Sequence, residues 1–492
     1  MKGFWKNQLA DPTELTRVVG KIGLALGPAL FLLIYFFVRP EGMSLQAVTV
    51  LAITAWIAIW WVTEPIPLPV TSLLPIVLFP LMGILKIGVT TASYGQPIVF
   101  LYIGGFLIAI AIEKTGLHKR IALNIIRKMG TRFSMIVLGF MISTAFISMW
   151  ISNTATAIMM LPIGLAIIAV ASTSEDVHIH RFRKALMLAI AYASSIGGLA
   201  TIIGTPPNLV FVGVVKDLYG MDISFMKWFM VGFPITVLLL FVSWWYLVRV
   251  GFPLGQFRLA GGKEEMDQRL SAIGTMSSGE KKVAIVFVIV AVAWVIRSFV
   301  LEKIIPGIDD TIIAMLGGVA LFVIPGADEK KGRLLDWVDA IKLPWGIVLL
   351  FGGGLALAEA FEVSGLAEWI GQHMSGFAVL GVFLTIFFVV AVVNFLTEFT
   401  SNLATVTMIL PVIAPIAISA GIDPLMLMVG ATMAASCGFM MPAGTPPNAI
   451  AFGSGYLTIW DMVKTGFWLN LASVIIITFV VYFLLGSMWG IN

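Results

Sequence analysis

Long apolar runs separated by short polar segments dominate this chain. A helix needs about 20 consecutive apolar residues to cross a bilayer, with a range of roughly 17–25. Nine runs come close to this length and predict membrane-spanning helices. They fall at roughly 20–38, 46–62, 66–85, 97–113, 227–250, 283–301, 310–325, 345–361 and 467–488.

Two further apolar runs, 185–214 and 424–455, are interrupted by a polar segment. Each contains the sequence Gly-Thr-Pro-Pro-Asn, which begins at Gly204 in the first run and at Gly444 in the second. Proline removes a backbone donor and glycine permits an unwound turn. The two runs therefore predict broken helices, which brings the number of expected spans to eleven.

Two more apolar runs, 133–172 and 375–419, carry a polar signature near the middle. It reads Ser-Asn-Thr-Ala-Thr from Ser152 and Ser-Asn-Leu-Ala-Thr from Ser401, 249 residues later. Length alone allows either two full spans or a re-entrant hairpin whose tip stops inside the membrane. We interpret both runs as re-entrant hairpins, because non-helical backbone is tolerated at membrane depth where it lines a cavity or is buried in protein.

The two signatures and the two Gly-Thr-Pro-Pro-Asn segments follow each other in the same order in both halves of the chain. Polar, helix-breaking segments at matching places in two apolar halves are typical of transporter repeats, whose binding site lies where the halves meet. Small polar residues also hold helices together in membranes. The paired repetition favours a binding site over that alternative.

Composition supports a membrane protein. Of the 492 residues, 59% are hydrophobic and only 11% are charged, which excludes a set of soluble domains. The single cysteine and the absence of a Cys/His cluster with metal spacing argue against redox and transition-metal chemistry. The net charge of +4 is modest and predicts no nucleic-acid partner. Four histidines are expected in solvated flanking loops: His118, His178, His180 and His373.

Basic residues predict the orientation of the spans, because lysine and arginine concentrate in short cytoplasmic loops. Lys2, Lys6, Arg17 and Lys21 place the N-terminus inside, and the span count then puts the C-terminus outside. Residues 114–132, which contain six lysines or arginines, fall inside and resemble an interfacial helix. Further basic clusters expected inside comprise Arg181, Arg183, Lys184, Arg258, Lys263, Arg269, Lys281, Lys282, Lys330, Lys331 and Arg333.

The predicted architecture is an all-α polytopic membrane protein with eleven transmembrane helices, two re-entrant hairpins and inverted-topology repeats. The first hairpin enters from the inside and the second from the outside. The expected location is a bacterial inner membrane, within the lipid bilayer. The predicted segments are an N-terminal segment with the first helix, the first repeat, a cytoplasmic linker and the second repeat, at 1–45, 46–250, 251–282 and 283–492.

The polar atoms of the repeats indicate the ligand. Carbonyl oxygens of a broken helix coordinate hard cations, and the amide N–H groups at the start of a half-helix attract anions. Because each repeat carries both parts, symmetry predicts two cation half-sites facing one anion. Neutral oxygens and amides suit sodium and a carboxylate. For Glu398, beside the second signature, a role in cation or proton binding and a structural hydrogen-bonding role are equally plausible from the sequence.

The two signatures, the two Gly-Thr-Pro-Pro-Asn segments and the Trp-Val-Thr-Glu-Pro-Ile-Pro segment from Trp61 resemble the divalent anion/sodium symporter family. The similarity covers almost the whole chain and is greatest to the sodium-coupled bacterial INDY type. It implies a homodimer with a scaffold domain and a transport domain that moves as an elevator. Leu403 departs from the family pattern, because threonine is expected at that position and leucine has no hydroxyl for a carboxylate.

The resemblance also implies which residues bind sodium and substrate. One Na⁺ would be bound by Ser148, Ser152, Asn153 and Gly204, and a second by Thr397, Thr400, Asn402 and Gly444. The dicarboxylate would be bound by Asn153, Thr154, Thr205, Pro206, Asn402, Thr445 and Pro446.

The function predicted from the sequence is sodium-coupled symport of C4-dicarboxylates such as succinate, malate and fumarate into the cell. An exchanger of dicarboxylates or of 2-oxoglutarate for succinate, and a sodium-coupled citrate or sulfate carrier, are the alternatives within the same fold. A channel is disfavoured by the inverted repeats. A hydrolase built on Ser454 is disfavoured because no histidine is predicted within a span, and a serine nucleophile needs a base. No enzymatic activity is expected.

Overall fold

The computed structural model describes residues 14–171, 177–259, 262–326, 332–373 and 381–490. These residues form helices and connecting segments and contain no β-strand, so the all-α prediction is confirmed. Parts of four predictions lie outside the described residues: the N-terminal Lys2 and Lys6, the last residue of the first hairpin at 172, the start of the second hairpin at 375–380, and Lys330 and Lys331.

The first half of the described chain runs from an N-terminal span to a linker helix. Its helices are α1 (Glu14–Phe37), α2 (Leu45–Thr63), α3 (Leu68–Thr71), α4 (Leu74–Leu81), α5 (Ile87–Ala92), α6 (Pro97–Thr115), α7 (Leu117–Met129), α8 (Phe133–Ser148), α9 (Asn153–Ala171), α10 (Val177–Gly198), α11 (Pro206–Tyr219), α12 (Phe225–Tyr246) and α13 (Gly262–Ile273).

The second half repeats the order of long, hairpin and broken helices. Its helices are α14 (Ser278–Ile296), α15 (Glu302–Ile304), α16 (Asp310–Val323), α17 (Trp337–Ala340), α18 (Trp345–Val363), α19 (Leu366–His373), α20 (Gly381–Leu396), α21 (Asn402–Ser419), α22 (Pro424–Ala435), α23 (Pro446–Phe452), α24 (Ile459–Val480) and α25 (Gly486–Trp489). Single π-helical segments extend α12, α14 and α24 at their C-terminal ends, at Leu247–Gly251, Arg297–Leu301 and Val481–Leu485.

Nine helical stretches of the described chain are long and apolar enough to cross a membrane, and five shorter apolar helices accompany them. The predicted span at 66–85 differs from the expected single helix, because it consists of α3 and α4 with a turn between them. Pro75 has no N–H to donate to Thr71, so the regular helical hydrogen bond is missing at this turn. Each of the other predicted spans overlaps a helix of the described chain.

The buried centre of the molecule is the C-terminal half of α10, where every residue from Ala185 to Gly198 is buried. Gly197 lies directly against α8, since an added Cβ would come within 2.6 Å of the Ala145 Cα. Small residues of this kind let membrane helices approach closely. The contact fixes the first broken helix against the first hairpin.

Ion pairs join distant segments at the two ends of the molecule. At one end Lys114 contacts Asp339, Arg120 contacts Glu280 and Lys184 contacts Asp461, at 2.7–2.8 Å. At the other end Arg297 contacts Asp222, Glu302 and Asp310, at 2.9–3.1 Å. Except for Arg297 and Glu302, which are five residues apart, each pair joins separate segments that the distribution of basic residues assigns to the same side of the membrane.

The prediction that all histidines are solvated is wrong for His118. This side chain lies in α7, which is the predicted interfacial helix, and is only 2% exposed. Its Nδ1 lies 3.2 Å from the carbonyl oxygen of Ile112. The position follows from the amphipathic pattern of α7, which turns His118 toward the core together with Leu117 and Ala122.

Candidate functional site

The first broken helix ends at Gly198 and resumes at Pro206. Its freed carbonyl groups are partly satisfied by Asn208, which donates from Nδ2 to the carbonyl oxygens of Gly198 and Thr201 at 3.1 and 2.8 Å. Gly204 lies so close to Gly198 that an added Cβ would come within 2.6 Å of the Gly198 oxygen. Only glycine fits there, because the two backbone segments are in direct contact.

The second broken helix has the same construction. It ends at Ala435 and resumes at Pro446. Asn448 donates from Nδ2 to the carbonyl oxygens of Gly438 and Met441 at 3.1 and 3.0 Å. The asparagine that closes each Gly-Thr-Pro-Pro-Asn segment therefore holds its own break together. The sequence predicted no role for these two asparagines, although both copies of the segment contain one.

The tip of the first hairpin places three oxygen atoms together. The Ser148 hydroxyl lies 2.9 Å from Asn153 Oδ1 and 2.6 Å from the carbonyl oxygen of Ser194 in α10. A hydroxyl has one proton and can donate it to only one of these two acceptors. The cluster is therefore rich in oxygen and poor in protons, which is the environment that a hard cation requires. Ser152 accepts a hydrogen bond from the backbone N–H of Ala155 at the start of α9.

The tip of the second hairpin repeats this cluster. The Thr397 hydroxyl lies 2.7 Å from Asn402 Oδ1 and 2.9 Å from the carbonyl oxygen of Ala435, the last residue of α22. The Thr400 hydroxyl lies 2.5 Å from the Thr405 hydroxyl. Two oxygen clusters of the same design, one per repeat, could therefore each hold a cation.

A cavity of about 1220 Å³ lies between the two hairpin tips and the two breaks. Ten of the thirteen predicted site residues line it, namely Ser152, Asn153, Thr154, Thr205, Pro206, Thr400, Asn402, Gly444, Thr445 and Pro446. The other three, Ser148, Gly204 and Thr397, lie behind this lining and are buried. All seven residues predicted to bind the substrate thus face one cavity.

The walls of the cavity differ from its two polar ends. Phe106 of α6 and Ile347 and Leu350 of α18 supply apolar surface. α9, α11 and α21 begin at the cavity, and the start of a helix carries a partial positive charge. An apolar cavity with a few convergent polar groups is the usual form of a small-molecule site. The helix starts favour an anionic ligand.

The two signatures differ at their third position in the structure as well. Thr154 and Leu403 both line the cavity, and Leu403 is only 6% exposed. Thr154 offers a hydroxyl to a ligand, whereas Leu403 offers only apolar surface. The two halves of the cavity are therefore chemically unequal where the repeat pattern departs from symmetry.

Glu398 has a hydrogen-bonding role that the sequence left undecided. Its carboxylate is 1% exposed and accepts hydrogen bonds from the backbone N–H groups of Met440 and Met441 at 2.9 and 2.8 Å. Asn470 of α24 donates a further hydrogen bond at 2.6 Å. Glu398 thus ties the second hairpin to the second break and to α24. The sequence offered no signal for Asn470.

Charged side chains surround the mouth of the cavity. Glu64, Glu113, Lys114 and Lys342 line it, and both lysines contact Asp339, at 2.7 and 3.0 Å. Burial raises the pKa of the Asp339 carboxyl, but hydrogen bonds from Lys114, the Asp336 backbone and Lys342 outweigh burial and bring the pKa to about 2. Asp339 is therefore ionised at neutral pH and forms ion pairs with both lysines.

Solved structures share the fold at low sequence identity. MtrF of Neisseria gonorrhoeae superimposes with a TM-score of 0.58 and 13% identity, over 97% of this chain and 96% of that chain. YdaH of Alcanivorax borkumensis gives a TM-score of 0.57 and 12% identity, over 98% and 99% of the two chains. The latter structure is described as a transporter and the former as one of a class of efflux pumps.

Curated relatives are similar over nearly the whole chain. The sodium-dependent dicarboxylate transporters SdcS of Staphylococcus saprophyticus and Staphylococcus aureus strain USA300 are 45% and 47% identical over 479 residues. The alignments cover 96% of this chain and 92% of each relative. The family described as the sodium:sulfate symporter transmembrane region matches residues 21–492. The resemblance seen in the motifs is thus confirmed, and this chain belongs to the sodium:sulfate symporter transmembrane region family.

Proposed function

We propose that this protein is a secondary active transporter that carries C4-dicarboxylates, such as succinate, malate and fumarate, into the cell together with Na⁺. The observation that carries the proposal is the pair of oxygen clusters behind one cavity, at Ser148 and Asn153 and at Thr397 and Asn402. The SdcS relatives, named sodium-dependent dicarboxylate transporters, support the choice of ion and substrate class.

The cations bind first in this mechanism. One Na⁺ is held by Ser148, Ser152, Asn153 and the Gly204 backbone, and the other by Thr397, Thr400, Asn402 and the Gly444 backbone. Unwound carbonyls and hydroxyls of this kind coordinate Na⁺ in transporters with broken helices. Each ion adds a full positive charge beside the cavity. The two ions order the hairpin tips and make the cavity attractive to a dianion.

The dicarboxylate then binds between the two tips. Asn153 and Asn402 turn their side-chain oxygens toward Ser148 and Thr397, which leaves each amide nitrogen to donate to a carboxylate. Thr154, Thr205 and Thr445 add hydroxyls, and Pro206 and Pro446 add the starts of the half-helices. Because one asparagine contacts both ligands at each tip, sodium and substrate binding depend on each other.

Charge compensation makes the movement across the membrane feasible. A C4-dicarboxylate carries close to two negative charges at neutral pH, because carboxyl pKa values lie near 4. Moving a bare dianion through an apolar barrier is prohibitive. With both sodium sites filled, the net charge of the loaded cavity is close to zero. We propose that a transport domain containing both hairpins and both broken helices moves as an elevator against a scaffold domain that forms a homodimer.

The proposed location is the cell's inner membrane, with the N-terminus in the cytoplasm and the C-terminus outside. The lysines at the cavity mouth support this orientation, because positively charged loops stay inside. In this orientation the cavity opens toward the cytoplasm, past Glu64, Lys114 and Lys342. The chain is also proposed to consist of two repeats, 46–250 and 283–492, joined by the linker 251–282.

Uptake by proteoliposomes tests the proposal. Radiolabelled succinate should accumulate when an inward Na⁺ gradient is applied, and should not when K⁺ replaces Na⁺. The vesicles contain buffer without an internal anion, so exchange cannot support uptake. Uptake at the full rate without Na⁺, or uptake only with internal dicarboxylate, contradicts sodium-coupled symport.

Competition defines the substrate in the same assay. Unlabelled malate, fumarate, 2-oxoglutarate, citrate and sulfate are each added in excess. Malate and fumarate should reduce succinate uptake strongly. If citrate or sulfate competes more strongly than malate and fumarate, that anion is the preferred substrate and the C4-dicarboxylate assignment is rejected.

A further inference from the structure

An aromatic residue stands two positions before each signature, and the two aromatic residues lie in opposite environments. Trp150 precedes Ser152, and Phe399 precedes Ser401. The Trp150 ring stacks on Phe225 of α12 with 6.0 Å between centroids. It meets Phe287 of α14 edge-on at 4.8 Å. The first tip is thus packed against two neighbouring helices.

Phe399 has no such surroundings at the second tip. Its side chain is 73% exposed and lines the cavity. The cavity lining also includes Val62, Thr63 and Glu64 at the end of α2. Phe399 and the end of α2 therefore border the same cavity, whereas Trp150 is in direct ring contact with Phe287 of α14.

The helices around the two tips are equivalent between the repeats. α2 and α14 each have 19 residues, and α12 and α24 each have 22. Phe225 begins α12 and is 1% exposed, but Ile459 begins α24 and is 53% exposed. Phe225 also stacks on Trp294 of α14 at 5.0 Å. One end of the molecule thus has a buried apolar cluster of aromatic rings, whereas Phe399 and Ile459 at the equivalent positions of the other end are exposed.

Charged residues show the same difference between the two ends. Arg297 follows the last residue of α14, has a side chain that is 5% exposed, and contacts Asp222 and Asp310. Glu64 follows the last residue of α2, is exposed, and lines the cavity. Ion pairs thus close the end at which Trp150 is packed. We call this end the sealed side and the end at which Phe399 is exposed the open side.

We propose that Trp150 and Phe399 are alternating seals of this carrier. Trp150 docks on α14 and closes the sealed side while the cavity is open. When the cavity closes, Phe399 docks on α2 in the equivalent way and Trp150 separates from α14. This inference is based on the inverted relation of the repeats. Trp150 and Phe399 are equivalent side chains in two different environments. Each is expected to take up the environment of the other when the cavity opens to the opposite side. The inference rests on the proposed transport function.

The indole N–H of Trp150 supports a temporary contact. Within the described residues, Trp150 Nε1 is buried and has no hydrogen-bond partner. Burying a donor without a partner costs free energy, and exposure to water removes this cost. Trp150 is therefore held on the sealed side by ring packing and not by a hydrogen bond.

Two engineered cysteines report which side is open. Ile158 lies six positions after Ser152, lines the cavity and is 53% exposed, so Ile158→Cys reports the open side. Thr407 lies six positions after Ser401 and is fully buried, so Thr407→Cys should react only after the sealed side opens. The protein's only cysteine, Cys437, is buried. Labelling of the unsubstituted protein gives the background from this residue. The reagent is a membrane-impermeant maleimide applied to inside-out and right-side-out vesicles.

Each seal variant should shift the two labelling rates in a defined direction. Trp150→Ala should raise labelling of Thr407→Cys from the sealed side about threefold or more, and lower labelling of Ile158→Cys, because aromatic contacts holding that side are lost. Phe287→Ala removes the partner ring and should act in the same direction. Trp150→Phe keeps an aromatic ring and should stay close to the unsubstituted rates. Phe399→Ala should lower labelling of Thr407→Cys about threefold or more.

The matched control is Phe241→Ala, which removes an exposed ring of α12 away from both tips. If Trp150→Ala, Phe287→Ala and Phe399→Ala all label at the rate of this control, the seals are rejected. If the Trp150 and Phe399 variants shift Thr407→Cys labelling in the same direction, the alternation is rejected. Folding of each variant is checked by its elution as a single species in detergent.

Labelling is measured without Na⁺ or substrate, so the result does not depend on which anion is carried. The predicted shifts in a protein that takes up no succinate would contradict the substrate assignment and leave the seals in place. Unchanged labelling in a protein with normal sodium-dependent uptake would contradict the seals and leave the transport function in place.

Discussion

Asn470 donates a 2.6 Å hydrogen bond to Glu398 and connects α24 to the tip of the second hairpin. Glu398 also accepts from the backbone N–H groups of Met440 and Met441 in the second break. One buried carboxylate therefore organises three separate segments. At the equivalent place in the first repeat, the Thr201 hydroxyl bonds to the carbonyl oxygen of Met149. The repeats thus reach similar geometry with different chemistry.

Glu398→Gln should weaken the second half of the site. Glu398 accepts hydrogen bonds with both carboxylate oxygens, whereas glutamine has only one acceptor oxygen. A backbone N–H of Met440 or Met441 would therefore face the amide nitrogen of the glutamine and lose its acceptor. Leaving a buried donor unsatisfied costs about 1–3 kcal/mol. We expect a lower melting temperature in detergent and about tenfold slower succinate uptake or worse. Glu362→Gln, an exposed control, should match the unsubstituted protein in both measurements. Equal behaviour of the two variants would contradict the organising role of Glu398.

Asn153→Ala and Asn402→Ala should abolish uptake without loss of membrane expression. Each removes a proposed sodium and substrate ligand, but the Ser148 and Thr397 hydroxyls keep the Ser194 and Ala435 carbonyls as acceptors. The melting temperature without ligands should therefore change little. Retained uptake in either variant would remove that asparagine from the site.

Asn208→Ala and Asn448→Ala should lower the melting temperature, in contrast to Asn153→Ala and Asn402→Ala. Both delete hydrogen bonds that hold a broken helix together, and buried carbonyls lose their donors. We expect melting temperatures several degrees below that of the unsubstituted protein, whether or not Na⁺ and succinate are present. A normal melting temperature combined with a selective loss of ligand binding would contradict the structural role of these asparagines.

Thr154→Val should raise the KM for succinate, whereas Leu403→Val should not. The first variant removes a hydroxyl that we propose contacts a carboxylate, and such a hydrogen bond to a charged group contributes about 1.5–3 kcal/mol. The KM should rise roughly tenfold or more. The second variant shortens an apolar side chain that makes no polar contact with substrate. Equal changes in KM would show that the asymmetry between the signatures does not affect the anion.

Asp339→Asn should lower stability at neutral pH and should have less effect in acid. The pKa of Asp339 is lowered to about 2 in the folded protein, against about 3.9 for an unperturbed aspartate. A carboxyl with a lowered pKa contributes stability above the unfolded pKa, and this contribution is lost as the pH falls toward the folded pKa. Melting temperatures of variant and unsubstituted protein should converge between about pH 4 and pH 2. Asp336→Asn, at a more exposed carboxylate, should show a smaller difference at pH 7.

Much of the fold could be predicted because membrane helices must satisfy their own backbone hydrogen bonds. Because of this requirement, the length of an apolar run predicts the length of a helix. α2, α6 and α18 accordingly lie close to the predicted runs. The turn inside 66–85 was not predicted, because the run is apolar apart from Thr71 and Ser72 and its length alone does not reveal the helical hydrogen bond that is lost at Pro75. His118 was misplaced because loop and interfacial helix share the same basic composition.

The candidate site was predictable in its composition and unpredictable in its contacts. Repetition of Ser-Asn and Gly-Thr-Pro-Pro-Asn identified residues that line one cavity, such as Asn153 and Asn402. Repetition also marked Asn208 and Asn448, whose role in each break became clear only from their distances to specific carbonyls. The contact between Glu398 and Asn470 joins positions in different helices, and no spacing rule relates them.

By itself, the sequence determined that the chain crosses the membrane and that its halves repeat, and it predicted that the polar breaks of both halves bind the ligands. These properties follow from local composition and from repetition along the chain. Only the tertiary structure decided that the four polar segments surround one cavity, and that Trp150 is packed while Phe399 is exposed. The physical reason is that packing depends on which surfaces meet in space. Two nearly identical segments carry the same local information, and their different surroundings come from the helices packed against them.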